Sequence, residues 1–250
     1  MTKVLITGMS GLIGGILRRH LEGVGGYELS ALNRSPVEGV KWFQADIADL
    51  ESVEKACAGT EVVVHLAAFL GSDSWEGHLS GNIIGTYNAL EAARRTGVKR
   101  VVFASSGATM VGYGTVEPYK ALREGRYDDV PGDIPLLTEQ MTWPQGIYGA
   151  AKVWGEAIGR HFSDAYGLSV ICIRIGQVWP DDYPQVAADY TRWLSHRDMA
   201  TMLHACIEAP DEVKFDIFNC TSNNRWAYRD LRHAREVLGW EPRDSADSFR

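Results

Sequence analysis

The sequence predicts a doubly wound parallel α/β sheet with a small C-terminal lobe, and three observations lead there. Short apolar, β-branched runs alternate with amphipathic stretches along most of the chain. The first run ends in a glycine-spaced turn that opens a helix. Most of the runs are almost continuously apolar, as strands are when helices cover both faces of a parallel sheet.

In order, strands are expected over residues 4–7, 28–32, 40–44, 61–66, 100–105, 169–175 and 214–219. Helices fill the intervals. Residues 11–22 put Ile13, Ile16, Leu17 and Leu21 on one stripe. Residues 79–96 do the same with Leu79, Ile83, Tyr87, Leu90 and Ala93, and Gly97 follows as a C-cap. A third helix is expected over 148–166, stopped by Gly167. Residues 112–146 carry several Pro, Gly and acidic residues with little periodicity, and read as a long loop over the active edge that has room for a short helix. After about Gly176 the rhythm weakens. Residues 1–175 are therefore expected as the main domain. Residues 176–250 are expected as a small substrate lobe, with a strand near 213–219 returning to the main sheet.

Length and composition agree. The chain has 250 residues, 45% of them hydrophobic, enough for one sizeable core. Lys+Arg 25 against Asp+Glu 32 gives a net charge of −7, which argues against a nucleic-acid partner, since that needs a basic face to release counterions. Cys57, Cys172, Cys206 and Cys220 are scattered, with neither metal-ligand nor disulfide spacing, so they read as core residues and no metal is expected. The chain enters a strand-like run at once, and no apolar stretch approaches the roughly 20 residues that span a bilayer. A cytoplasmic protein without membrane contact is the expectation.

The turn Gly8-Met9-Ser10-Gly11-Leu12-Ile13-Gly14 ends the first strand and opens the first helix. Gly8 permits the tight turn. Gly11 lets backbone N–H groups of Ser10, Leu12 and Ile13 approach a pyrophosphate at the helix N-terminus, and Gly14 lets helix and strand pack closely. This is a Rossmann-type dinucleotide site. A carboxylate at the end of the second strand would select NAD; here stand Asn33, Arg34 and Ser35, and a guanidinium suits a 2′-phosphate. NADP is the expected cofactor, with NAD the alternative. Asp46 and Ile47 sit where the adenine edge would be capped. Leu66, Ala67 and Ala68 end the fourth strand with side chains small enough for the cofactor to pass. His65, just before them, reads as a satisfied core histidine.

Tyr148 and Lys152 lie four apart on a helix and share a face. An ammonium there would favour phenolate and lower the tyrosine pKa, so that Tyr148 could exchange a proton with a substrate oxygen while hydride moves to or from nicotinamide. Lys152 would also hold the nicotinamide ribose. Ser106, at the end of the fifth strand, can donate to the substrate oxygen, with Ser105 as the alternative behind it. Trp75, Trp143, Trp179 and Trp193 fall in segments able to roof a substrate, although each alone is more often core than pocket.

The glycine loop, the strand end 63–68, the run Asn82-Ile83-Ile84-Gly85-Thr86-Tyr87-Asn88, Phe103-Ala104-Ser105-Ser106 and Tyr148-x-x-x-Lys152 together resemble the extended short-chain dehydrogenase/reductases, the NAD-dependent epimerase/dehydratase group. Later matches are Arg174-Ile175-Gly176, Ser195-His196-Arg197-Asp198 and Leu238-Gly239-Trp240-Glu241-Pro242. Within the group the uronate dehydrogenases look closest. The resemblance implies that Tyr148 is the acid/base, Lys152 its tuner and Ser106 the oxygen donor. It implies that Asn82 orders the helix beside the site and that Ile175 to Val178 lie near the carboxamide. It also implies a homodimer through helices 79–96 and 148–166.

Substrate elements depart from the uronate dehydrogenase pattern. Gly107 and Ala108 follow the serine where Asn and His are usual, Gln177 replaces a serine, and Asn33 replaces a carboxylate. The substrate-carboxylate arginine, whose place falls near Ala188, is absent, with Arg192 a weak candidate to replace it. Gly107, Trp143 and Gln177 join Ser106 as expected substrate contacts. The reaction expected is hydride transfer between nicotinamide and a small alcohol/carbonyl substrate: a sugar, sugar acid or ketone. The alternatives are a sugar epimerase with tightly bound cofactor and a non-catalytic NADP-binding sensor.

Overall fold

The computed structural model describes residues 1–71, 74–130 and 132–249. Seven parallel strands form one sheet, β1 (Thr2–Thr7), β2 (Tyr27–Asn33), β3 (Lys41–Gln44), β4 (Val62–His65), β5 (Arg100–Ser106), β6 (Ser169–Ile175) and β7 (Phe215–Cys220), in the order β3-β2-β1-β4-β5-β6-β7. Each lies within two residues of its expected bounds. The order reverses at β1, between β2 and β4, and in such sheets ligands bind outside the carboxyl ends of the strands at that point.

Helices follow at α1 (Leu12–Val24), α2 (Leu50–Cys57), α3 (Trp75–His78), α4 (Gly85–Thr96), α5 (Tyr119–Glu124), α6 (Gly146–Tyr166), α7 (Asp189–Arg192), α8 (His196–Ile207) and α9 (Arg232–Leu238). Alternation along the strands divides the core in two. Val4, Ile6, Val62, Val64, Val102, Ala104, Ile171 and Ile173 pack with Ile16, Leu17 and Leu21 of α1 and with Met199, Met202, Leu203 and Cys206 of α8. Leu5, Val63, Val101, Phe103, Val170 and Cys172 point the other way, toward α2, α4 and α6. All four cysteines are buried in these cores. Gly97 and Gly167 end α4 and α6 in the left-handed conformation, with φ of 75° and 71°.

Three segments differ from expectation. The helix expected over 79–96 starts earlier, at α3, and runs through a π-helical turn over Leu79–Ile84 before α4. That turn rotates its stripe, so that Tyr87 is exposed rather than buried. The expected loop 112–146 contains a 3₁₀ segment (Gly107–Thr115), α5, a second 3₁₀ turn (Tyr127–Asp129) and then the start of α6. It carries its own small core, where Met110, Tyr119, Leu122 and Leu137 pack with Tyr228 from the C-terminal segment. Residues after 176 return β7 to the main sheet, as expected, but they also pack α8 onto it rather than forming only a separate lobe. The segment Ser195-His196-Arg197-Asp198 is a structural hub. Ser195 caps α8 by accepting from the Asp198 N–H at 3.0 Å and donates to Asp244 at 2.6 Å, while Asp198 accepts from the Ser222 hydroxyl at 2.7 Å.

Candidate active site

Two cavities open at the carboxyl ends of the strands. The first, about 560 Å³, lies at the switch point and is lined by Gly8, Ser10, Gly11, Asn33, Arg34, Ser35, Asp46, Ile47, Leu66, Ala67, Ala68 and Gly81 among others. Gly8 adopts φ +75°, and a Cβ there would sit 2.9 Å from the Ala67 nitrogen. A Cβ on Gly14 would lie 2.5 Å from the Gly8 carbonyl oxygen, so that residue sets how closely α1 meets β1. Gly11 caps α1 without any side-chain bond, which leaves the first-turn N–H groups for an anion. The cradle, its anion-ready helix end and its apolar flank fit a dinucleotide.

Asn33 lines this cavity, but its amide is committed to the glycine loop. Its Oδ1 accepts from the Met9 N–H at 2.9 Å, and its Nδ2 donates to the Ser10 hydroxyl at 2.6 Å. Arg34 and Ser35 are exposed beside it. Asp46 accepts from the Ala48 N–H at 2.9 Å, while Asp49 is the N-cap of α2. Asn82, on the π turn, exchanges bonds with both backbone groups of Phe69 (2.8 and 2.9 Å) and meets His78 at 2.8 Å. It orders the segment after β4 and is not a lining residue of the cavity.

His65 is a core residue. Its Nδ1 lies 2.8 Å from the Thr7 hydroxyl, its ring stacks on Phe103, and burial pushes its pKa down to about 3, with Lys152 adding to the effect.

The second cavity, about 250 Å³, sits at the ends of β5 and β6 and is lined by Ser106, Gly107, Tyr148, Ile175, Gly176, Gln177, Arg123, Arg192 and Arg229 among others. Ser106 and Tyr148 both line it, and the Ser106 Oγ accepts from the Ala108 N–H at 3.1 Å. Ser105 points into the protein and donates to Glu156 Oε1 at 2.6 Å, beside the buried Arg174–Glu156 ion pair. Only Ser106 of the two reaches the cavity. Lys152 is buried behind Tyr148. Its Nζ donates to the Ala104 carbonyl at 2.7 Å and stands 5.6 Å from the Tyr148 ring centre.

The electrostatics correct one expectation. Tyr148 is held above the ordinary phenol pKa, not below it. Burial disfavours the phenolate, and the neighbouring Ser106 hydroxyl opposes this only in part. Lys152 is itself drawn down to about 8 by burial.

Gln177 lines the second cavity, whereas Trp143 does not; its ring lies over Gly112 and edge-on to Tyr113. Trp179 donates to Asp189 at 2.8 Å, Trp193 is buried and Trp75 is exposed, and none of them lines this cavity. Sequence reasoning missed Arg123 and Arg229. No motif marks either, and a lone arginine carries no signal until folding brings it to a strand end.

A doubly wound sheet with a glycine cradle at its switch point and a Ser–Tyr–Lys group beside it defines a nicotinamide-dependent oxidoreductase. The profile of the NAD dependent epimerase/dehydratase family matches residues 4–180, and the chain belongs to that family. It is 32% identical to a uronate dehydrogenase of Agrobacterium fabrum over 100% of this chain and 88% of that one. It is 31% identical to an NAD-dependent glucose-6-phosphate dehydrogenase of Haloferax volcanii, covering 98% and 95% of the two chains. The crystal structure of uronate dehydrogenase from Agrobacterium tumefaciens superposes with a TM-score of 0.84 at 30% identity, over 100% of this chain and 87% of that one. A variant of that enzyme complexed with NAD gives 0.83 over 100% and 88%. Among the described residues no helix is long and apolar enough to cross a membrane.

Proposed function

We propose that the enzyme interconverts an alcohol and a carbonyl on a small sugar or sugar acid, with Tyr148 moving the proton. The observation that carries this reading is the meeting of Ser106 and Tyr148 in one cavity, with the Lys152 ammonium buried 5.6 Å from the Tyr148 ring centre. Sugar and sugar-acid dehydrogenases among the relatives support the substrate class.

Gly8, Ser10, Gly11 and the first-turn N–H groups of Leu12 and Ile13 would hold the pyrophosphate. Asp46, Ile47 and Leu66 to Ala68 would flank the adenosine half, and Tyr148, Lys152 and Ile175 the nicotinamide half. The nicotinamide, when bound, supplies the hydride acceptor or donor. The chain's own residues do the rest. Ser106 donates to the substrate oxygen and fixes it against Tyr148. Tyr148 passes the proton to or from that oxygen at its phenolic Oη. Lys152 keeps a positive charge behind the phenol and is itself fixed by the Ala104 carbonyl.

Tyr148→Phe tests this. Turnover is expected to fall by about 10²- to 10⁴-fold, with cofactor affinity within about twofold of the parent. Retained turnover would end the proposal.

NADP is the preferred cofactor in this reading, supported by Arg34 and Ser35 on the cavity rim and by the lack of a carboxylate at the end of β2. The protein is read as a cytoplasmic homodimer joined through α4 and α6, whose outer faces expose Ile84, Tyr87 and Tyr166 at and beside these helices. Light scattering that returned a monomer mass would exclude the dimer.

A further inference from the structure

Arg229 is the most unusual charge in the molecule. Its side chain is more than nine-tenths buried, and neither Nε nor Nη1 has a hydrogen-bond partner among the described residues. The third nitrogen, Nη2, reaches only the Gly107 carbonyl, at a long 3.4 Å. A buried charge is unfavourable unless something pairs with it, and among the described residues no carboxylate forms an ion pair with Arg229. Yet Arg229 lines the cavity that also holds Ser106 and Tyr148.

The position is built rather than incidental. Leu137 forms a parallel bridge to Arg229, with the Leu137 N–H donating to the Tyr228 carbonyl at 2.7 Å and the Asp230 N–H donating to the Leu137 carbonyl at 2.9 Å. The guanidinium rests on Gly107. A Cβ at that residue would lie 2.3 Å from Nη2 and 2.7 Å from Nη1. Gly107 stands where the uronate dehydrogenase pattern places an asparagine, so that departure is what makes room for Arg229. Two more guanidinium groups share the cavity. Arg192 has a distant partner in Asp189 at 3.4 Å, whose other oxygen already takes three donors, and Arg123 has no ion pair among the described residues.

The geometry points to Arg229 as the receptor for an oxyanion on the substrate, a carboxylate or a phosphomonoester, in place of the arginine missing near Ala188. Arg123 and Arg192 add to the field. The substrate is then an acidic sugar rather than a neutral one. This inference rests on the oxidoreductase reading of Ser106 and Tyr148, but its test needs no turnover.

The test is titration calorimetry on the intact chain saturated with NADH or NADPH, using glucuronate, glucose 6-phosphate and glucose as probes. At least one acidic sugar is expected to bind at least about tenfold tighter than glucose, and the tighter of the two identifies the oxyanion. Arg229→Gln is expected to erase that margin while glucose affinity stays within about twofold. Gly107→Ala, a milder change that pushes the guanidinium aside, is expected to reduce the margin by at least about threefold and keeps the question open to measurement if Arg229→Gln does not fold. Two results would overturn the inference: glucose binding as tightly as both acidic sugars, or an undiminished margin in the variants. An enzyme that binds acidic sugars in this manner but turns over none would instead overturn the proposed function alone.

Discussion

Asn33 braces Ser10 from the end of β2, its Nδ2 donating to the serine hydroxyl at 2.6 Å while its Oδ1 accepts from Met9. The residue at the place that reads the adenosine ribose is thus engaged in holding the glycine loop. In the proposed reading, discrimination between the two dinucleotides would fall to Arg34, exposed one residue later. Arg34→Ala is therefore expected to lower kcat/KM for NADP by at least about tenfold and leave NAD within about threefold. Asn33→Ala, which frees the loop, is expected to weaken both cofactors alike. Steady-state kinetics with each dinucleotide checks this. A parent enzyme with higher kcat/KM for NAD than for NADP would reject the preference.

Lys152 is buried with its ammonium, and burial holds its pKa near 8, below the ordinary 10.5. The unfolded chain therefore binds more protons than the folded one between those values. The penalty is full below about pH 8 and fades as pH rises toward 10.5. Lys152→Met is expected to gain about 1–3 kcal/mol of unfolding free energy at pH 7, with activity lost and the gain shrinking by pH 10. Urea unfolding of both proteins at the two pH values measures it. A gain independent of pH would mean that the charge is not the cause.

The sequence made the fold legible because the sheet is buried on both faces. Runs such as Val62-Val63-Val64 and Val170-Ile171-Cys172-Ile173 need no tertiary information to be read as strands. The glycine turn, Ser106, Tyr148 and Lys152 were legible for a related reason, since their spacing is local and falls at strand or helix ends. Three things were not. Asn33 exchanges bonds with Met9 and Ser10 across two strand ends, and no local pattern encodes that. Tyr148 depends on burial for its pKa, and its surroundings, which include the His78 ring 6.1 Å away and the lining of the second cavity, come from distant parts of the chain. Arg229 reaches Gly107 across 122 residues of chain, a pairing that only the folded lobe creates.

His65 is buried between Thr7, Thr86 and Phe103, and burial holds its pKa near 3 against an ordinary 6.5. Protons bind the unfolded chain first, so stability is intact above about pH 6.5 and is lost as pH falls toward 3. His65→Gln keeps a polar partner for Thr7 and removes the titration. The parent is expected to lose up to roughly 5 kcal/mol relative to this variant across that window. Unfolding midpoints from pH 7 to pH 4 report the slope. Parallel curves for the two proteins would place the acid sensitivity elsewhere.

Arg174 and Glu156 form a two-pronged pair at 2.8 Å on each prong, both side chains almost wholly buried. Ser105 donates to the same carboxylate, and Arg174 also donates to the Met141 carbonyl at 2.9 Å. The pair therefore ties β5, β6 and α6 to the chain just before the start of α6. Removing one partner strands the other charge in the core. Arg174→Met is expected to cost about 3–5 kcal/mol, and Glu156→Gln less, because a neutral amide still accepts from Ser105 and Arg174. The double variant Arg174→Met, Glu156→Leu is expected to recover much of the loss, since it leaves no unpaired charge. Chemical unfolding of the three variants reads this cycle. Equal losses for the double variant and Arg174→Met alone would show that the cost comes from altered packing at residue 174 and not from the uncompensated carboxylate.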